Sequence, residues 1–458
     1  MSHSTTRRGR STPRGVRISP LLARRAYTND AGRRMPGPAG SLRDLGNLRT
    51  IFSLGLLDAY QGWEQDRPGE DFLVWAGPAP HVVVVAPDSV QRVLNDSEHF
   101  ARDIRPTKTM FGDGLLRQQG GAWVRRRAAA SPPFKRGSLG SALPIVVEEV
   151  ERLLQGWRAR GTEPFRPTRD VAGCMLQILC RYLFGYRFDP ERYGGRAFHS
   201  ALVVLSSDSV LRHLLPRHAV AVARRRAIRR AHATLNELCA DILESGGDAP
   251  FLTRLREDLT GGERTRQDVL DELRTFLIAG HETSATALNW ALALLAQAPD
   301  EQEVLGREAR EHTGFGHTEG LTAADRVFSE TMRLYPPVPI SVSVATRDTT
   351  LSGYFVPAGT RIDVCSYVVH RSRSRWTDPD VFQPSRFIGG APPRTDYLPF
   401  LHGPHLCLGR GLAKIEVRAA LSMLTERYRV SLPGPPPEVN LRLSLHPKGL
   451  RIRLEPVR

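Results

Sequence analysis

The stretch FLHGPHLCLGRGLAKIE, Phe400 to Glu416, sets a cysteine in a loop bracketed by Gly403 and Gly409, directly ahead of an amphipathic segment. The spacing predicts a helix from about Leu408. The unpaired N–H groups and dipole at a helix start stabilise a thiolate, so Cys407 is electronically suited to be a metal ligand. Glycines on both sides let the backbone bend and lie flat against something large. An inert core cysteine needs neither those glycines nor Phe400.

Length and composition bound the rest. At 458 residues and 41% hydrophobic content the chain supports a substantial core and reads as a folded globular protein. Its five cysteines are Cys174, Cys180, Cys239, Cys365 and Cys407, an odd number without a C-x-x-C pair. A disulfide framework is not expected, and a reducing, cytoplasmic compartment is. The most apolar run, Ala285 to Ala298, is short and holds Asn289, so no membrane span is expected. No secretory signal is expected either.

The net charge of +16 is unevenly spread: residues 1–34 hold nine arginines against Asp30, which is +8. These residues read as a basic, disordered tail, and residues 35–458 as a single domain after a MPGPAG hinge. No nucleic-acid-binding signature accompanies the charge, so no nucleic-acid partner is expected.

The expected fold class is mainly α (α+β). Asp71 to Val90 reads as two short strands and a helix capped at Asp88. The middle of the chain is helical, ending in a run of about 30 residues through Ala298 whose apolar positions recur at three-and-four spacing, roughly 45 Å of central helix. After Ser329, alternation around GY and PAG turns predicts a second small sheet.

Several chemistries fail on spacing. His281 and Glu282 begin an H-E-x-x-H zinc motif, but Ala285 stands where the second histidine belongs. There is no phosphate loop, no G-x-G-x-x-G after a strand and no G-x-S-x-G elbow. His405, two residues from Cys407, could suggest a nucleophile and its base, although such pairs usually come from distant segments; a thiolate bound to haem iron would instead push electron density toward the metal and favour O–O cleavage of bound oxygen.

Phe400, Gly403, His405, Cys407 and Gly409 resemble the F-x-x-G-x-[RH]-x-C-x-G haem loop of the cytochrome P450 family. Glu330 and Arg333 resemble its E-x-x-R helix, and Arg386 its P-E-R-F arginine. Ala279, Gly280, Glu282 and Thr283 resemble its A-G-x-[DE]-T segment, and Trp123 with Arg127 its W-x-x-x-R. The resemblance runs from about residue 36 to the end. It implies a helix-rich domain with a smaller β-rich lobe, and haem b ligated by Cys407. It also implies Arg127 and His405 on the haem propionates, Glu282 and Thr283 as the proton-delivering acid and alcohol, and Ala279 with Gly280 opening a slot for oxygen. Glu330, Arg333 and Arg386 are implied as a structural ion cluster. Ser385 and Ser343 depart from the pattern, the latter where a propionate arginine or histidine is usual.

What this implies is a soluble monooxygenase that hydroxylates or epoxidises an apolar natural-product intermediate such as a terpenoid, polyketide or fatty-acyl compound. The 51 residues after Cys407 are too few for a flavin domain. Electrons are therefore expected from a separate ferredoxin and ferredoxin reductase, docking near Arg126, Arg410 and Lys414, on a monomer. Arg125 and Arg126 are expected as surface charges. The substrate pocket is expected to involve Met110, Phe111, Val203 to Leu214 with Ser206, Ser207 and Ser209, Ile278, Ala279, Val338 to Ile340 and Leu445. A coupling, rearranging or peroxide-using enzyme, or a non-enzymatic haem or nucleic-acid binder, are the alternatives.

Overall fold

A computed structural model describes residues 26–38, 46–76, 79–104, 107–189, 191–192, 200–208, 221–312, 320–442 and 444–457. The chain clusters into two compact units, one ending at Asp103 and including Val342–Val364, the other formed by Ile104–Ser341 and Cys365–Arg458.

The smaller unit is the β-rich lobe. It carries helices α1 (Leu48–Leu54), α2 (Leu56–Asp66) and α3 (Pro87–Asn95). Strands β1 (Phe72–Ala76), β2 (Ala79–Val84), β3 (Phe100–Arg102), β4 (Ile340–Ala345) and β7 (Arg361–Cys365) form one sheet in the order β1-β2-β7-β4-β3, beside a hairpin of β5 (Thr349–Leu351) and β6 (Tyr354–Val356). Valines 82 to 84 of β2 are fully buried, and β2 runs parallel to β7. Asp71 Oδ1 accepts from the N–H groups of Val85 (2.7 Å) and Ala86 (2.8 Å) where β2 turns into α3. Helix α3 is capped by Ala86 with Pro87 at its first position, so Asp88 lies inside the first turn and is not the cap. Ser343 stands directly across the β3–β4 ladder from Arg102.

Residues 26–34 do not belong to a disordered tail. Tyr27 is only 5% exposed, its hydroxyl lies 2.9 Å from Thr360 Oγ1, and its N–H donates to Phe355 O at 2.8 Å. Nor is the start of MPGPAG a free hinge: Met35 is buried and Pro36 O accepts from Leu73 N at 2.7 Å. Gly37 is required there, because a Cβ would lie 2.0 Å from Leu73 O.

The larger unit holds α4 (Gly120–Ala130), α5 (Ala142–Arg158), α6 (Thr168–Phe184), α7 (Ala221–Ser245), α8 (Pro250–Thr260), α9 (Arg266–Leu295), α10 (Pro299–Glu311), α11 (Thr322–Leu334) and α12 (Arg410–Arg427). Two short antiparallel pairs follow, β8 (Tyr428–Ser431) with β11 (Arg453–Pro456) and β9 (Glu438–Leu441) with β10 (Leu445–Lys448). Helix α9 is the expected central helix. It opens with a capping box, Thr265 Oγ1 accepting from Asp268 N (3.2 Å) and Asp268 Oδ2 from Thr265 N (3.1 Å), a device worth about 1 kcal/mol. From Val269 to Leu295 it is buried on almost every side, so it is an interior rod rather than a surface helix with one apolar stripe. None of the described helices is long and apolar enough to cross a membrane.

Helix α12 packs on α9 through Glu416, which is hydrogen bonded to Ser284, while Glu416 Oε2 is buried with no partner. Burial pushes this carboxyl from its ordinary 4.5 up to about 7, against a smaller opposing pull from Ser284. The folded state thus holds the proton more tightly than the unfolded chain. Stability from this group is full below pH 4.5 and is lost as the pH rises toward 7, by roughly 3 kcal/mol in all. Glu416→Gln is predicted to gain on the wild type by about that amount between pH 4.5 and pH 8, read by urea unfolding at several pH values; parallel pH curves for the two proteins would contradict it.

Candidate active site

Construction of the site begins on α11. Glu330 and Arg333 are three residues apart, hence on one face, and both are completely buried. Arg333 uses all five of its donors: Nε and Nη2 on the Glu330 carboxylate (2.7 and 2.8 Å), Nη1 on His370 O and Pro379 O, and Nη2 also on Val381 O. Arg386 Nε joins Glu330 at 3.3 Å, completing the expected three-member cluster. His370 then relays the fixed position onward. Burial lowers its pKa to about 3, so the ring is neutral. Nδ1–H donates to Arg333 O (3.0 Å), and Nε2 accepts from Leu398 N (2.7 Å).

Leu398 is where the cysteine loop begins. Leu398 O accepts from Leu401 N, and Phe400 O accepts from Cys407 N at 3.1 Å, closing the loop on itself. Leu401 (φ 56°) and Gly403 (φ 72°) carry the sharp bend in the left-handed region, which Gly403 enters without penalty. Gly409 differs. Its φ is −77°, which any residue adopts, and a Cβ there would approach nothing nearer than Cys407 Sγ at 4.0 Å. Among the described residues, neither the backbone nor a neighbouring segment of chain demands glycine at 409.

Helix α12 starts at Arg410 with Gly409 as its cap, two residues later than the sequence suggests, which aims two N–H groups at the thiol. The Cys407 side chain keeps accessible surface, yet enough chain surrounds it that burial is the main influence and raises its pKa. Hydrogen bonds from the Gly409 and Arg410 N–H groups and the charges of Arg127 and Arg410 pull the other way. The other four cysteines are all buried.

From α4, the ring of Trp123 lies 4.3 Å from that of His405, and the Arg127 guanidinium sits 5.4 Å from the Trp123 ring. Arg127 also donates to Leu406 O, fixing the loop one residue before the cysteine. Phe400 packs toward Phe328 of α11, their ring centres 6.3 Å apart. Trp123, Arg127, Phe400, Gly403, His405, Cys407 and Gly409 are thus brought to one loop and its supports. A thiol ligand, a glycine with no chain-imposed reason and a pair of cationic or imidazole side chains beside them fit a haem.

Helix α9 supplies the second wall. Between Val269 and Leu295 the residues left partly open are Ala279, Gly280 and Thr283, which share a face because 279 and 283 are one turn apart. The Thr283 hydroxyl donates to Ala279 O at 2.8 Å, which is the back-bonded arrangement common for threonine in helices. Gly280 lies against α6: a Cβ there would meet Leu179 Cδ1 at 2.7 Å, so a larger residue would have to displace the Leu179 side chain. Glu282 turns away from that face. It is buried against the β9–β10 hairpin, with His446 Nε2 2.6 Å and Ser444 Oγ 3.4 Å from its Oε1. His281 is also buried, its Nδ1 against Leu277 O and its Nε2 3.8 Å from Glu282. Burial lowers the pKa of His281, so it stays neutral.

Other expected roles change. Arg126 is no surface charge: it pairs with Asp268 at 2.9 Å and reaches Glu272 at 3.8 Å, so it is not presented for docking. Ser206 and Ser207 turn their hydroxyls back to Leu202 O and Val203 O, so neither points a polar contact at a ligand; Ser209 to Leu214 lie outside the described residues. Met110, Ile278 and Leu445 are fully buried in packing, while Val338 is exposed. A cleft of about 1170 Å³ lies between α4 and α8, but its lining, with Arg125, Arg254, Arg264, Asp258 and Glu263, is too charged for an apolar substrate and includes no residue of the cysteine loop. His370, Ser444 and His446 escaped the sequence reading. Their contacts with Leu398 and Glu282 carry no spacing signal, since those residues lie 28 to 164 positions away.

Comparisons with known proteins agree with this construction. A profile of the Cytochrome P450 family matches residues 45–454. A Putative cytochrome P450 137 of Mycobacterium tuberculosis is 30% identical over 372 residues, 78% of this chain and 76% of that protein. Cyclooctatin synthase of Streptomyces melanosporofaciens is 27% identical, with 83% and 87% covered. Cytokinin hydroxylase of Arabidopsis thaliana is 26% identical, with 82% and 78% covered. With an axial-type cysteine loop, its E-x-x-R brace and the open face of a central helix all present, the chain belongs to the cytochrome P450 family, a haem b-thiolate monooxygenase.

Proposed function

We propose that this monooxygenase oxidises an apolar natural-product intermediate of the terpenoid, polyketide or fatty-acyl kind, with electrons from a separate ferredoxin and its reductase. The observation that carries the reading is the accessibility pattern: between Val269 and Leu295 of α9 the residues left partly open are Ala279, Gly280 and Thr283, and the loop thiol is open too. The names of two relatives, Cyclooctatin synthase and Cytokinin hydroxylase, support a small-molecule substrate. Residues 35–458 act as one cytochrome P450 domain in this reading, as a cytoplasmic monomer.

Cys407 is the proposed metal ligand, and Arg127 and His405 the proposed propionate partners; the haem, once bound, supplies oxygen binding and activation. The protein supplies the rest. Ala279 and Gly280 offer a small-residue surface beside the oxygen-binding side. Thr283, by exchanging its bond to Ala279 O for one to a bound species, presents a hydroxyl proton, and Glu282 is the proposed source of its replacement once its side chain swings from the hairpin toward Thr283. Arg410 and Lys414 remain for an acidic ferredoxin; Lys414 is 46% exposed although it pairs with Asp325 at 3.0 Å.

Reconstituted with a ferredoxin, its reductase and labelled dioxygen, the enzyme is expected to place one labelled oxygen in a terpenoid, polyketide or fatty-acyl compound drawn from those that shift the haem spin state. Unlabelled oxygen in the product, or turnover without reductant, would overturn the monooxygenase reading in favour of a peroxide-using or rearranging enzyme. Separately, Glu282→Gln and Thr283→Ala are each predicted to slow product formation by roughly 10²-fold while substrate binding is kept, with the electrons diverted to hydrogen peroxide. Wild-type product yield per electron in both variants would remove these two residues from proton delivery.

A further inference from the structure

Beside the open face of α9 a chain of polar groups leads from the interior to accessible surface. Glu282 Oε1 lies 2.6 Å from His446 Nε2. Ser444 Oγ is 3.4 Å from the same oxygen and 3.2 Å from His446 Nε2, and 2.8 Å from Thr286 Oγ1. Glu282, Ser444 and Thr286 are buried, whereas His446 keeps 27% of its side chain accessible. The hairpin is tied to α9 around this point, because Trp290 Nε1 donates to Leu445 O between the two polar residues.

A buried carboxyl used as a proton source needs a route for the next proton, since water does not reach it directly. An imidazole with one nitrogen on the carboxyl and one edge open is such a route. The transfer balances without a further reactant: a His446 imidazolium N–H bond breaks, a Glu282 O–H bond forms, and the neutral ring takes its next proton from water. The titratable groups facing His446 from α9 are Glu282 and, behind it, His281. On its own hairpin, Lys448 and Glu438 pair with each other at 2.8 Å, and Arg442 is exposed at the turn.

We propose that His446 is a positioning residue for catalysis: it holds the Glu282 carboxyl on the hairpin side of α9, one residue before Thr283, and reloads it with protons from solvent. This rests on the reading of Glu282 and Thr283 as the proton-delivering pair. Ser444 contacts both members, and the ring keeps 27% of its side chain accessible to solvent.

The test uses the haem-loaded, reductase-coupled enzyme with His446→Gln and His446→Ala. Glutamine keeps an N–H donor near Glu282 but cannot pass a proton. Both variants are expected to keep the substrate-induced spin-state shift and the thermal midpoint of a folded protein. Product per electron should fall several-fold with a matching rise in hydrogen peroxide. The dependence of product per electron on pH should differ from that of the wild type. In substrate-free protein, a thermal-unfolding cycle of Glu282→Gln, His446→Gln and the double variant should be non-additive. Full recovery of product yield by glutamine, an unchanged pH profile, or an additive cycle each overturns the proposal. If Glu282→Gln itself gives normal product yield, the underlying reading fails; if it does not while His446→Gln does, only this inference fails.

Discussion

The buried pair of Glu330 and Arg333 is the constraint from which the site hangs. Removing a carboxylate and a guanidinium from water costs several kcal/mol per ion, so such a pair persists only if every donor and lone pair is met. All five Arg333 donors are met, three of them by the backbone carbonyls of His370, Pro379 and Val381. Those carbonyls belong to the chain that leads to the cysteine loop. The pair therefore fixes backbone position rather than simply adding stability. The neutral His370 passes that position to Leu398, from which the Phe400-to-Cys407 closure follows.

A second constraint acts from the other side of the loop. Arg127 holds Leu406 O, and the start of α12 points N–H groups at the sulfur. Burial opposes thiolate formation, and these donors with the charge of Arg127 oppose burial. Burial wins, so the thiol's pKa is raised, and a positively charged partner would favour the thiolate.

Local chemistry made much of this readable from the chain alone. Cys407, Gly403 and Phe400 sit within eight residues, and Glu330 and Arg333 one helical turn apart, so covalent spacing carries their relation. The long run through Ala298 announced α9 by period and length. What was hidden depends on segments that meet only in the fold. Arg126 reads as a surface charge until α9 brings Asp268 and Glu272 to it. Tyr27 reads as part of a tail until Phe355 and Thr360 receive it. Glu282 looks paired with Thr283 by sequence, yet adjacent helix positions point about 100° apart, and its partners are Ser444 and His446 from the far end of the chain. Gly280 was explained by a ligand, while Leu179 of α6 crowds the same position.

The central claim is that the Cys407 thiolate ligates haem iron. It is tested most directly by the absorption of the reduced carbon monoxide complex in the wild type and in Cys407→His, both loaded with haem. The account predicts the long-wavelength Soret band of thiolate ligation in the wild type and its replacement by the shorter-wavelength band of imidazole ligation in the variant. Retention of the thiolate band in Cys407→His, or its absence from the wild type, would contradict it.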